Sequence, residues 1–204
     1  PLNTLTFPIG CPQIIFHRQT PLYIPELETA QSKFTISGQV NYPSHLYANG
    51  NVEMIVVVFQ PYALRAFLNL PISLLHNQEV SGYDLENKPL KQLAAQIFDC
   101  GNTGLCISLI EQWLLSRIAD VLTSKTAYNL KRISATIQQL FAMPAIPVTE
   151  LASTACLSKK QFERLFNELV GANPKEYARI VRFQKSLKLL QHDSEDANLA
   201  QLAY

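Results

Sequence analysis

The chain has 204 residues, of which 48% are hydrophobic and 16% charged. That is enough apolar material for one large domain or two small ones, and too much for wholesale disorder. No apolar run approaches the roughly 20 residues of a transmembrane helix, and Pro1-Leu2-Asn3-Thr4 has no basic start leading into an apolar stretch, so no membrane association and a cytoplasmic location are expected. The net charge of +1 hides an asymmetry: residues 1–105 hold five Lys and Arg against seven Asp and Glu, whereas residues 106–204 hold twelve against nine. Between Leu157 and Leu190 eight basic side chains stand against three acidic ones. Such a block suits a phosphate backbone, and it also suits a solvated helical face.

The first 60 residues read as strands and turns. Gln13 to Phe16, Phe34 to Val40 and Asn51 to Gln60 are rich in Ile, Val and Phe and are separated by punctuation such as Asn41-Tyr42-Pro43 and Asn49-Gly50. The run from Met54 to Phe59, bounded by Asn-Gly and Pro61, predicts a strand covered on both faces inside a sandwich or small barrel. After Pro61 the period lengthens, predicting helices over Tyr62 to Leu70, Pro89 to Phe98 and Leu105 to Leu122. A polar stretch begins at Thr123. It divides a strand-rich module of mixed class, 1–123, from a linker, 124–129, and an all-helical segment, 130–204.

No constellation for chemistry emerges. Cys11, Cys100, Cys106 and Cys156 show neither C-x-x-C pairs nor nearby histidines, and His17, His45, His76 and His192 lack metal-ligand spacing. No phosphate-binding glycine loop or nucleophile elbow is present. The expectation is a protein that binds without catalysing, with no catalytic residues, metal or cofactor.

The helical half is more explicit. Pro147 starts a short helix, Val148 to Ala155, followed by a break at Cys156-Leu157. Ser158-Lys159-Lys160-Gln161 has the form of a capping box opening a second helix. In it Phe162, Leu165, Phe166 and Leu169 form one inward stripe, while Lys159, Lys160, Glu163, Arg164 and Asn167 occupy the opposite face. Gly171 ends that helix and Asn173-Pro174 starts another, with Tyr177, Ile180, Val181 and Leu187 on its buried side. Two short helices and a tight turn, the second helix polar and basic outside, have the form of a helix-turn-helix. A helical bundle with no role at DNA has the same spacing.

Residues 130–204 resemble the DNA-binding domain of the AraC/XylS family of bacterial transcription regulators. The likeness is carried by Leu151-Ala152, Leu157-Ser158, Gln161-Phe162-Glu163-Arg164-Leu165-Phe166, Gly171-Ala172-Asn173-Pro174-Lys175-Glu176-Tyr177, Arg182-Phe183 and Leu189-Leu190. It implies a sequence-specific regulator whose partner is double-stranded DNA, with Lys160, Glu163 and Arg164 reading bases, neighbouring cap and basic residues such as Ser158 and Lys159 holding phosphates, and Asn167 among the DNA-binding residues. The chemistry agrees, since Arg can bridge guanine O6 and N7 and Glu can accept from cytosine N4. Cys156 stands where the family usually has glycine, and a packed, inert thiol is expected there. Ala197 to Tyr204 resembles only the first helix of the family's second helix-turn-helix, so the chain is expected to be a piece of a longer protein.

The front half resembles an uncharacterised N-terminal domain of some such regulators, through Phe7-Pro8-Ile9-Gly10 with Ile14-Ile15-Phe16, and Phe59-Gln60-Pro61 with Leu68 to Pro71. The implied fold is α+β: a strand-rich, cupin-like barrel or sandwich with helices, then the all-α helix-turn-helix domain. The barrel is expected to bind a small effector, such as a sugar or aromatic metabolite, or to form a homodimer through Leu105 to Leu122, a helix that equally suits packing on its own barrel. Phe16, Tyr42, Tyr47 and Phe59 are the candidate effector contacts, although aromatics at strand positions more often belong to a core. Two other readings compete: a cupin-like binding protein or enzyme, or a helical module that binds protein.

Overall fold

The computed structural model describes residues 1–122 and 125–192. Its strands are β1 (Leu2–Thr6), β2 (Gln13–His17), β3 (Tyr23–Ile24), β4 (Thr29–Ala30), β5 (Phe34–Ser37), β6 (Ser44–Ala48), β7 (Met54–Val58) and β8 (Glu79–Ser81). They form two antiparallel four-stranded sheets, ordered β1-β6-β3-β4 and β7-β2-β5-β8. The helices that follow are α1 (Leu64–Phe67), α2 (Lys88–Asp99), α3 (Thr103–Leu122), α4 (Lys125–Ala142), α5 (Val148–Thr154), α6 (Lys159–Val170) and α7 (Pro174–His192). The fold is α+β.

Register decides which side of the second sheet faces what. Ile14 pairs with Ile36 and Val57, and Phe16 with Phe34 and Ile55, so these side chains share one face. That face packs against α1, α2 and α3 in a core that includes Leu64, Leu90, Ile97 and Trp113. The other face carries Gln13, Ile15, Ser37, Val56 and Glu79 towards the first sheet. One set of strands thus serves an apolar outer face, closed by α1, α2 and α3, and a mixed polar and apolar inner face turned to the first sheet.

Three expectations change. Met54 to Val58 is an edge strand and not an interior one, since only β2 pairs with it and Val58 is 55% exposed. Its continuous apolar run reflects contact with helices on one face and with the opposed sheet on the other. Of the helix expected over Tyr62 to Leu70, only Leu64–Phe67 is regular. Lys125 to Asn129, expected as linker, is the first turn of α4, while 123–124 lie outside the described residues. Ala197 to Tyr204 also lie outside them.

A second core is built from α4, α5, α6 and α7, around Ile133, Ile137, Leu151, Phe162, Phe166 and Tyr177. The two cores meet where the C-terminal end of α6 rests on a short 3-10 helix, Ile72–Leu75. Gly171 ends α6 with φ +86°, and a Cβ there would lie 2.9 Å from Ile72 Cγ2 and 3.0 Å from the Ile72 carbonyl oxygen. Both the left-handed backbone and the close approach need glycine. Gly171→Ala is therefore expected to lower unfolding stability by about 1 to 3 kcal/mol. Urea unfolding followed by circular dichroism measures this, and an unchanged midpoint would contradict the packing described.

Candidate nucleic-acid interface

The capping box at Ser158 fixes where α6 begins. The Gln161 backbone N–H donates to Ser158 Oγ at 3.4 Å, and the Ser158 backbone N–H donates to Gln161 Oε1 at 3.2 Å. Two of the amides that a helix start leaves without partners are thereby satisfied. Inward, Phe162 and Phe166 have ring centroids 5.5 Å apart, and Phe166 meets Tyr177 at 5.8 Å. Leu151, Ala152 and Ala155 of the preceding helix and turn are buried against this stripe. A small residue at Ala152 lets the two helices approach, which is the packing of a helix-turn-helix.

The turn between α5 and α6 is held by a residue with no signal in the sequence. Arg132, on α4, donates from Nε to the Ala155 carbonyl and from Nη2 to the Cys156 carbonyl at 2.7 Å, while its guanidinium stacks 5.0 Å over the Tyr128 ring. These carbonyls belong to a turn that neither helix can satisfy, and a planar fork of donors suits two adjacent acceptors. Cys156 itself has φ +51°. Its thiol is exposed and not packed as expected, because the left-handed turn leaves the burial to Ala155 and Leu157 on either side. Cysteine therefore occupies a backbone region that glycine would enter more cheaply.

On the outer side, Ser158, Lys159, Lys160, Arg164 and Asn167 are exposed and Glu163 is half-buried. Lys160, Glu163, Arg164 and Asn167 follow one face at i, i+3, i+4 and i+7, with Lys159 and Ser158 at its N-terminal end. Among the described residues no ion pair neutralises Lys159, Lys160 or Arg164. Further along the helix, Glu168 lies 3.9 Å from Arg65 of the sheet module. The N-terminal part of α6 is thus open to a partner while its C-terminal end is docked.

The aromatic candidates of the front half do not converge. A cavity of about 210 Å³ lies between the two sheets, and Tyr42 lines it. Phe16 and Phe59 belong instead to the core beneath the helices, Phe16 stacking on Phe34 at 5.3 Å and Phe59 meeting Phe67 at 5.4 Å. Tyr47 points outward from β6, 39% exposed, opposite Tyr23, while Ser44 and Leu46 of the same strand face the cavity. Gln13 and Ile15 of β2 and Met54 and Val56 of β7, hydrogen-bonded neighbours in one sheet, share one wall of the cavity. Sequence reasoning missed Gln31, Ser37 and Glu79 at this site, because isolated polar residues in short strands, or in the loop after one as Gln31 is, give no sign of facing inward. On α3, Ile110 and Trp113 are buried in the core, whereas Ile107, Leu115 and Ile118 are exposed.

Residues 1–81 match a family model described as a domain of unknown function, DUF6597. The match falls on the part of the chain that resembles an uncharacterised N-terminal regulator domain. No curated protein matches the sequence. Among solved structures, the crystal structure of apo ToxT K231A from Vibrio cholerae strain SCE256 is similar over 88% of this chain and 93% of its own, at 11% identity and a TM-score of 0.30, a likeness too weak to carry an argument. Among the described residues no helix is long and apolar enough to cross a membrane, and no cluster of three or more His, Cys, Asp or Glu could hold a metal.

The role of Arg132 is testable without DNA. Arg132→Ala leaves two turn carbonyls short of a donor and is expected to cost about 1 to 2 kcal/mol of stability, with Arg132→Lys recovering at most half. Chemical denaturation of the three proteins measures this, and equal midpoints would show that the fork does not hold the turn.

Proposed function

We propose that this chain is a sequence-specific DNA-binding transcription regulator of AraC type that responds to a small-molecule effector. The observation that carries the reading is the placement of α6: a capped, rigidly backed helix whose Lys160, Glu163, Arg164 and Asn167 face is exposed, with Lys159 at its N-terminus. A helix of this width fits the major groove, and the positive end of the helix dipole with Lys159 attracts a phosphate. Arg164 and Glu163 have the donor and acceptor patterns that distinguish guanine and cytosine. Lys159 contributes charge that carries no sequence information.

Effector response rests on the wall between the cavity and α7. Phe7, Pro8, Ile9, Gly10 and Cys11 line the inter-sheet cavity on one side. On the other, Gly10 accepts a hydrogen bond from the Tyr177 hydroxyl at 3.2 Å, Pro8 accepts one from Gln184 Nε2, and the Phe7 ring lies 5.4 Å from Phe183. A ligand that shifts this segment changes the seating of α7, and with it the frame that holds α6. Such coupling requires a difference in ligand affinity between the two seatings.

The test is selection of duplexes from a random library by the full chain, followed by titration of variants. Arg164→Ala is expected to fold like the parent and to lose about 1 to 3 kcal/mol of discrimination at one base pair. Lys159→Ala is expected to weaken binding to all duplexes alike and to flatten the salt dependence. Selection that enriches no sequence, or variants that bind the selected duplex as the parent does, would refute the reading.

A further inference from the structure

We propose that the inter-sheet cavity binds a small aliphatic amine, its ammonium group held by the carboxylate of Glu79 and its alkyl body by the aliphatic walls. The proposal rests on the sensor reading of the front half and names the chemistry of its ligand. Register places Glu79 opposite Ser37, and Ser37 opposite Gln13, on the sheet face turned inward. Ser37 Oγ donates to Glu79 Oε1 at 2.9 Å, and Gln31 Nε2 donates to Glu79 Oε2 at 3.1 Å. Gln31 and Ser37 are themselves buried. Two neutral donors orient the carboxylate and leave a lone pair on each oxygen for the cavity.

What the site lacks is a cation of its own. Among the described residues no Lys, Arg or His pairs with Glu79. The nearest base in the network, His17, donates from Nε2 to Gln31 Oε1 at 2.8 Å, and its burial pushes the imidazole towards the neutral form. Burial likewise pushes the Glu79 carboxyl up, against the two hydrogen bonds that favour its charge. Tyr42 lines the same cavity, and its phenol is pushed up by burial first and then by the charge of Glu79. A desolvated carboxylate without a counter-ion is costly, and a cationic ligand removes the cost that a neutral one leaves in place.

Part of the remaining lining fits an alkyl group, beside the polar Thr6, Gln13 and Ser44. Ile15, Leu22, Ile24, Leu46 and Val56 face the space, with half-exposed Met54 at its edge. Its volume is about 210 Å³. A dry cavity of about 150 Å³ accommodates benzene, so a chain of four to six carbons with one ammonium group fits here. A neutral ligand, a sugar or an unsubstituted aromatic ring alike, would leave the Glu79 carboxylate without a counter-ion.

The experiment titrates the full chain with n-butylammonium, 1-butanol and butyrate at matched ionic strength in a calorimeter, without DNA. The ammonium ion is expected to bind at least tenfold more tightly than 1-butanol, equal to about 1.4 kcal/mol, with butyrate excluded. Glu79→Gln is expected to abolish that preference. In the parent, methyl NMR signals of Ile15, Met54 and Val56 are expected to move on titration, a readout that does not depend on the variant folding. Equal affinity for amine and alcohol, no binding of the amine, a preference that survives in folded Glu79→Gln, or shifts confined to other methyl groups would each overturn the proposal. Failure of amine binding in a chain that still selects a DNA sequence overturns this proposal alone. Amine binding with these shifts in a chain that selects no sequence supports it and tells only against the DNA reading.

Discussion

The carbonyl oxygen of Gly10 joins the two halves of the molecule. It accepts a hydrogen bond from Gln39 Nε2 at 3.0 Å, within the sheet module, and one from the Tyr177 hydroxyl at 3.2 Å, within α7. Gln39, Gly10 and Tyr177 are all buried, so neither donor has water to fall back on. Gly10 has φ +72°, and a Cβ there would lie 3.3 Å from Ile180 Cγ2, so the position combines a left-handed backbone with close packing against α7. Burial also pushes the Tyr177 phenol far up, which keeps its proton available as the donor. Around this point the sheet module and the helical module share one interior boundary.

The backing of α6 follows from that attachment. Tyr177 packs on Phe166, so the helix that grips Gly10 also backs the helix that carries Lys160, Glu163 and Arg164. Gly171 against Ile72 and Glu168 near Arg65 hold the far end. Asn41, which donates to Glu176 Oε1 at 3.2 Å, adds a contact at the surface. Exposed pairs of this kind contribute little stability, and the buried apolar contacts dominate. The consequence is a base-reading candidate surface held by packing on three sides and free on the fourth.

Much of the helical half was legible because its signals are local. A capping box, a glycine stop and an i, i+3, i+4, i+7 stripe lie within a few residues of what they specify, and Ser158, Phe162, Phe166 and Gly171 take the places their types imply. The clamp by Arg132 was not legible, because its partners are backbone carbonyls more than 20 residues away. In the front half runs of Ile, Val and Phe between turn residues mark β2, β5 and β7, yet such runs do not say which face meets helices and which meets a second sheet. Phe16 and Phe59, candidate effector contacts by residue type, are turned away from the cavity. Leu2–Thr6 and Ser44–Ala48 pair with each other across some 40 residues, and the mixed polar composition of both conceals them. Glu79 becomes conspicuous only when the register sets it beside Ser37 and Gln31 donates to it.

The central claim is that the free face of α6 meets DNA while the Gly10 boundary stays closed. Hydrogen exchange of the full chain, followed by mass spectrometry with and without a selected duplex, tests it most directly. The account predicts that added protection is concentrated at the α5–α6 turn and the N-terminal part of α6, around Cys156 to Arg164, with the Ile72–Leu75 segment and the strands unchanged. Protection that appears on the sheets or on α3, with α6 exchanging as in the free protein, would contradict it.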